Sequence, residues 1–147
     1  MAYRLYSFVA HHYLSPLQCG LQTAHVVSEL AATGDPRDST DPFFIWAKDD
    51  KTIIICGAGN HIGVVDAFTQ FELFNTRLRH LTLPTALFEE DVDSMNGMAT
   101  ACGVIVPNRF YDAVWDETHQ RYTTMHGGTY DPVEHEFVVY LKSFRLA

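Results

Sequence analysis

Within the stretch SPLQCGLQTAHVVSE, two amides, an imidazole and a carboxylate (Gln18, Gln22, His25 and Glu29) are spaced four, three and four residues apart. At about 100° per residue these positions recur along one side of an α-helix, while Leu17, Leu21, Ala24, Ser28 and Ala31 recur along another. Turned to water, such a ridge is the solvated face of a half-buried helix. Turned inward, it offers donors and acceptors of fixed direction to a polar ligand. We read it as turned inward, with the later acidic run containing Glu89, Glu90, Asp91 and Asp93 facing it across a gap.

Other chemistry is less well supported by spacing. Of the eight histidines, His11 and His12 are adjacent, and His61, His80, His119, His126 and His135 form no H-E-x-x-H or comparable pattern, so neither a metal nor a cofactor is expected. Gly57-Ala58-Gly59-Asn60 hints at a phosphate loop, but Ile62 stands where a dinucleotide fingerprint needs its third glycine, and a tight turn is expected instead. Cys19, Cys56 and Cys102 are odd in number and lack paired short spacings, which suits free thiols in a reducing cytoplasm. Cys19, near a helix start, is read as structural because no base stands beside it in the sequence.

The elements that must position these groups follow from local signals. Ser15 before Pro16 is a helix start, since the serine oxygen can accept from an orphan N–H and proline has no N–H to waste. A strand precedes it over Tyr3 to Ala10, and residues 32 to 42, ATGDPRDSTDP, form a loop. Lys51 to Cys56 reads as a second strand whose continuous apolar run suits burial on both faces. Asn60 caps a second helix running to about Leu78; LPTALFEE and Cys102 to Pro107 are the third and fourth strands. This order predicts an α/β fold, a mixed four-stranded sheet with helices packed against it through right-handed crossovers. Beyond Pro107, AVWDETHQRYTT and HEFVVYLKSFRL read as two further strands, a C-terminal β-hairpin extension that would extend the sheet, cover a site or contact a second copy in a homodimer. The expected division is therefore 1–107 and 108–147, packed as one domain.

The first helix and the overall layout resemble the type II peptidyl-tRNA hydrolases. In that family a strand and a short turn lead into a helix beginning roughly G-K-x-x-A-Q-x-x-H-A. Leu17-Gln18-Cys19-Gly20-Leu21-Gln22-Thr23-Ala24-His25-Val26 keeps the glutamine and histidine and has Gln18 in place of the lysine. Leu87 to Pro107, LFEEDVDSMNGMATACGVIVP, is similar to the later family stretch of a strand ending in D-A-G-x-T, a loop and a strand with a terminal proline. The resemblance implies that the family's aspartate falls near Glu89 or Glu90 and its threonine near Asp93 or Ser94, and it covers about residues 3 to 107. In the family the lysine is thought to meet the tRNA end or assist catalysis by its charge, which Gln18 cannot do.

The bulk numbers bound the function. A chain of 147 residues, 47% hydrophobic and 13% aromatic, has the composition of an ordinary globular domain with a sizeable core. Its apolar runs are too short to span a bilayer, and its first residues, MAYRLYSFVAHHYL, do not read as a signal peptide, so a mature cytoplasmic protein without a membrane partner is expected. With 18 acids against 10 bases, the net charge of −8 opposes broad phosphate binding and hence DNA. Three readings follow. One is a non-hydrolysing relative in which Gln18, Gln22, His25, Asp91 and Asp93 bind a small polar or nucleotide-derived ligand and so sequester a signalling nucleotide. Another is an active hydrolase on the tRNA end, with Glu89 or Glu90 placing water and Ser94 replacing a threonine. The third is a protein-interaction module anchored by aromatics such as Phe43, Phe44, Trp46, Phe110, Tyr111 and Trp115, although most of these would serve the core.

Overall fold

The computed structural model describes residues 2–13, 15–91 and 96–147. Its principal sheet has four strands: β1 (Tyr3–Val9), β2 (Ile53–Gly57), β3 (Thr85–Glu89) and β4 (Ala99–Pro107), in the spatial order β2-β1-β4-β3. β1 and β2 are parallel, whereas β4 runs antiparallel to both β1 and β3. β4 lies between two strands with every residue buried, which explains its run of small and β-branched side chains.

Helices cover both faces. α1 (Pro16–Thr33) packs on one face with α2 (Pro42–Ile45) and the π-helical turn Trp46–Asp50. Its core contacts include Leu5, Val26, Leu30, Phe43, Ala101 and Ile105. α3 (His61–Arg77) and α5 (Pro132–Lys142) cover the other face, around Phe8, Phe71, Phe74 and Phe137. Between β4 and α5 come α4 (Asn108–Tyr111) and a separate two-stranded hairpin of β5 (Val114–Asp116) and β6 (Arg121–Thr123). The C-terminal region is thus part of the common core.

Two expectations need correction. The run HEFVVYLKSFRL is rich in β-formers, yet most of it is α5: Asp131 caps the helix, Pro132 stands in its first turn, and Glu134 completes a capping box. Phe137, Val138 and Leu141 then share its buried face, a helical rather than a two-residue period. β2, expected to be buried on both faces, is instead an edge strand with Ile53 43% exposed. Its outer side is partly covered by the end of the chain, through Gly57 N–H to the Arg145 carbonyl at 3.0 Å and Ala147 N–H to the Ile55 carbonyl at 2.9 Å.

Among the described residues, no helix is long and apolar enough to cross a membrane.

Candidate functional site

The helix start behaves as its residues dictate. Ser15 Oγ accepts from the Gln18 N–H at 3.1 Å, and Gln18 Oε1 accepts from the Ser15 N–H at 3.4 Å, closing a capping box. Gln18 is exposed and its amide oxygen serves the cap. One turn later the helix faces the sheet: its buried residues are Cys19, Gln22, Thr23, Val26 and Leu30. Leu17 and Leu21 point to solvent, so the apolar stripe is not the packed one.

Close approach makes this possible. Opposite Val26, β4 carries Gly103, where an added Cβ would lie 2.4 Å from Val26 Cγ1. With the helix drawn down, Thr23 Oγ1 meets Ser7 Oγ of β1 at 2.8 Å, both residues being buried. This pairing satisfies two hydroxyls that would otherwise each cost about 1–3 kcal/mol to bury.

Gln22 is the centre of the arrangement. Its Nε2 donates to Glu90 Oε1 at 3.1 Å, and its Oε1 accepts from Thr100 Oγ1 at 2.8 Å. Tyr13 OH, from the turn after β1, donates to the same Glu90 oxygen at 3.1 Å. Burial raises the Tyr13 pKa, and its hydrogen bond to Glu90 and that carboxylate's charge raise it further, so Tyr13 remains a proton donor at neutral pH. Glu90 Oε1 therefore receives two donors, whereas its Oε2 receives none among the described residues.

An irregularity in the sheet places Thr100. The β3–β4 register shifts between Phe88 and Glu89, with Phe88 opposite Ala101 and Glu89 opposite Ala99. Thr100 is the extra residue of a β-bulge, so it and Ala101 both serve the α1 side instead of alternating. Its backbone carbonyl also accepts from the Ala10 N–H at 2.9 Å, tying the bulge to the end of β1.

The site occupies the carboxyl end of parallel strands β1 and β2, from which α1 and α3 depart to opposite faces. That divergence is where open α/β sheets form a ligand crevice. Across it, His11 Nδ1 and the Gly59 carbonyl lie 2.8 Å apart, and the His11 N–H donates to that carbonyl at 2.6 Å. Gly59 turns with φ of 78°, ending β2 before Asn60 caps α3, in the tight-turn role expected of this segment.

The remaining residues fall in different places. His25 stacks on Phe88, with ring centroids 4.2 Å apart and planes at 6°. Glu89 and Asp91 are exposed on either side of half-buried Glu90, and Glu29 is exposed farther along α1. Asp93 and Ser94, expected respectively to bind ligand and to supply a hydroxyl, lie outside the described residues. Thus Gln22 and Glu90 come together, His25 stands one turn along the same helix, and Gln18 marks the exposed rim. Tyr13 and Thr100 join the network without having been singled out from sequence: the first is distant in the chain, and the second depends on a bulge.

Among the described residues, no group of three or more His, Cys, Asp or Glu side chains is placed to hold a metal ion. Cys19, Cys56 and Cys102 are buried and free. Burial pushes the Cys56 thiol up to about 11 and the Cys102 thiol higher, so neither is a ready nucleophile. Of the proposed interface aromatics, Phe43, Trp46 and Phe110 belong to the core, while Trp115 is 41% exposed. No protein-family model matches the chain, and no curated protein matches it.

Proposed function

We propose that this chain is a divergent, non-hydrolysing relative of the type II peptidyl-tRNA hydrolases that holds a small polar, nucleotide-derived ligand at the Glu90 end of its sheet. The strand order, the Q-x-x-H spacing of Gln22 and His25 on α1, and the meeting of that helix with Glu90 support the relationship. The two donors converging on Glu90 Oε1 carry the binding proposal, because they fix the carboxylate while Oε2, which accepts no hydrogen bond among the described residues, is offered to a ligand N–H. A nucleobase amine has that chemistry. The exposed Gln18, committed to a helix cap where the family has lysine, favours binding over ester cleavage.

Titration calorimetry against nucleosides, mononucleotides and cyclic dinucleotides tests the proposal. Binding should weaken by about tenfold or more in Glu90→Gln, the loss expected for one charged hydrogen bond. No heat of binding across that panel, with folded protein confirmed by circular dichroism, overturns it. Glu90 Oε2, without a hydrogen bond among the described residues, also favours a second reading, a hydrolase in which Glu90 activates water. Catalytic release of peptide from peptidyl-tRNA that disappears in Glu90→Gln would support that alternative instead.

A further inference from the structure

We propose a second binding site, on the opposite face of the sheet, for a small amphipathic carboxylate whose charged head meets Arg4 and Lys142 and whose apolar body fills the adjoining cavity. The cavity is about 640 Å³, within the range of small-molecule sites, and lies between β2, the α4–α5 region and the end of the chain. Arg4 from β1 stacks its guanidinium 3.9 Å from the Tyr111 ring centroid. Lys142 Nζ lies 5.2 Å from that centroid and donates to the Tyr111 carbonyl at 2.6 Å. One ring therefore organises two cations from distant parts of the sequence.

Neither cation makes an ion pair among the described residues. Arg4 Nε is buried without a hydrogen-bond partner among the described residues, an uncommon condition for a charged group. Ala147 also lines the cavity, but it does not ion-pair with either cation. Burial lowers the Lys142 pKa, while Asp112 acts at longer range to raise it. A bound carboxylate would supply the close anion that Asp112 does not.

The remaining chemistry selects the ligand class. Tyr6 also lines the cavity, and its hydroxyl makes no hydrogen bond among the described residues, so it is a further candidate donor. Ile54, Leu141 and Phe144 supply an apolar wall, which inorganic phosphate cannot use. Arg4 has the planar donor fork suited to a carboxylate, and Lys142 supplies a second charge.

Calorimetry of the full chain with octanoate, octanol and inorganic phosphate distinguishes these contributions. Octanoate should bind with defined stoichiometry and at least about tenfold more tightly than either comparison compound. Arg4→Gln/Lys142→Gln should lose most of that preference, and Arg4→Lys should retain an intermediate share. Equal binding of octanol and octanoate overturns the carboxylate assignment, equal binding of phosphate overturns the amphipathic one, and absence of octanoate binding overturns the site. The wild-type ligand comparison remains decisive if a variant fails to fold. Glu90→Gln should leave octanoate binding unchanged, separating this site from the proposed nucleotide site.

Discussion

The two faces of the sheet are built by opposite methods. Around α3 and α5, Phe8, Phe71, Phe74, Phe137 and Phe144 fill space with rings, several at 4.6–6.2 Å centroid separations. Against α1, Gly103 removes a side chain and Ser7, Thr23 and Gln22 replace apolar contacts with directional hydrogen bonds. The aromatic face derives stability from volume and area, whereas the α1 face sets the position of polar atoms. It is the second face that carries the candidate nucleotide site.

The largest effect should follow from emptying the aromatic face. Phe71 is fully buried and touches Phe8, Phe137 and Tyr140 through ring contacts. Phe71→Ala should cost about 3–5 kcal/mol in urea unfolding, combining lost apolar transfer with an unfilled cavity. A loss below about 1 kcal/mol would mean that the surrounding rings collapse into the space, contrary to the role assigned to this layer.

The α1 face should respond to crowding instead. Gly103→Ala introduces a methyl 2.4 Å from Val26 Cγ1 and 3.2 Å from the Tyr6 carbonyl oxygen. Overpacking there should cost about 1–3 kcal/mol and displace Gln22 from its partners. In Val26→Ala/Gly103→Ala, loss of the two valine methyls, including the clashing Cγ1, should recover part of that penalty, giving a non-additive double-mutant cycle in urea unfolding. Additive losses would show that the helix does not depend on this close approach.

This contrast explains what the sequence made legible. Ser15-Pro16 and Asn60 disclose helix starts because capping chemistry is local, and the β-branched run ending at Pro107 discloses β4 because burial is written in composition. The network at Glu90 was only half visible. Gln22 and Glu90 could be singled out by type, but joining them requires a contact across 68 residues, and Tyr13 reaches Glu90 across 77. Thr100 depends on one extra residue in a ladder, which alternation alone does not reveal. At β2 the opposite problem arose: Ile53, Ile54 and Ile55 announced apolar surroundings without revealing that one side of the strand is an edge. In α5 the capping signal Asp131-Pro132 and the helical spacing of Phe137 and Leu141 overrode strand propensity.

The smallest effect concerns how the C-terminal helix is held to the aromatic face. Arg77 on α3 forms two hydrogen bonds with Glu136 on α5, at 3.1 and 2.6 Å, but the side chains are 47% and 55% exposed. Solvent and side-chain entropy should make this pair far less important than the rings beneath it. Hydrogen bonding to Arg77 is the main cause lowering the Glu136 pKa below its ordinary value, with the guanidinium charge acting in the same direction. Its contribution is therefore present above the unfolded carboxylate pKa and lost as pH falls through the lower folded pKa. Glu136→Gln should reduce Tm slightly at neutral pH, with the difference from wild type shrinking in acid and at high salt. Thermal unfolding over pH and salt checks both dependences. A pH-independent loss as large as that of Phe71→Ala would assign attachment of α5 to a specific polar contact and remove the distinction between an aromatic face built by packing and an α1 face built by hydrogen bonds.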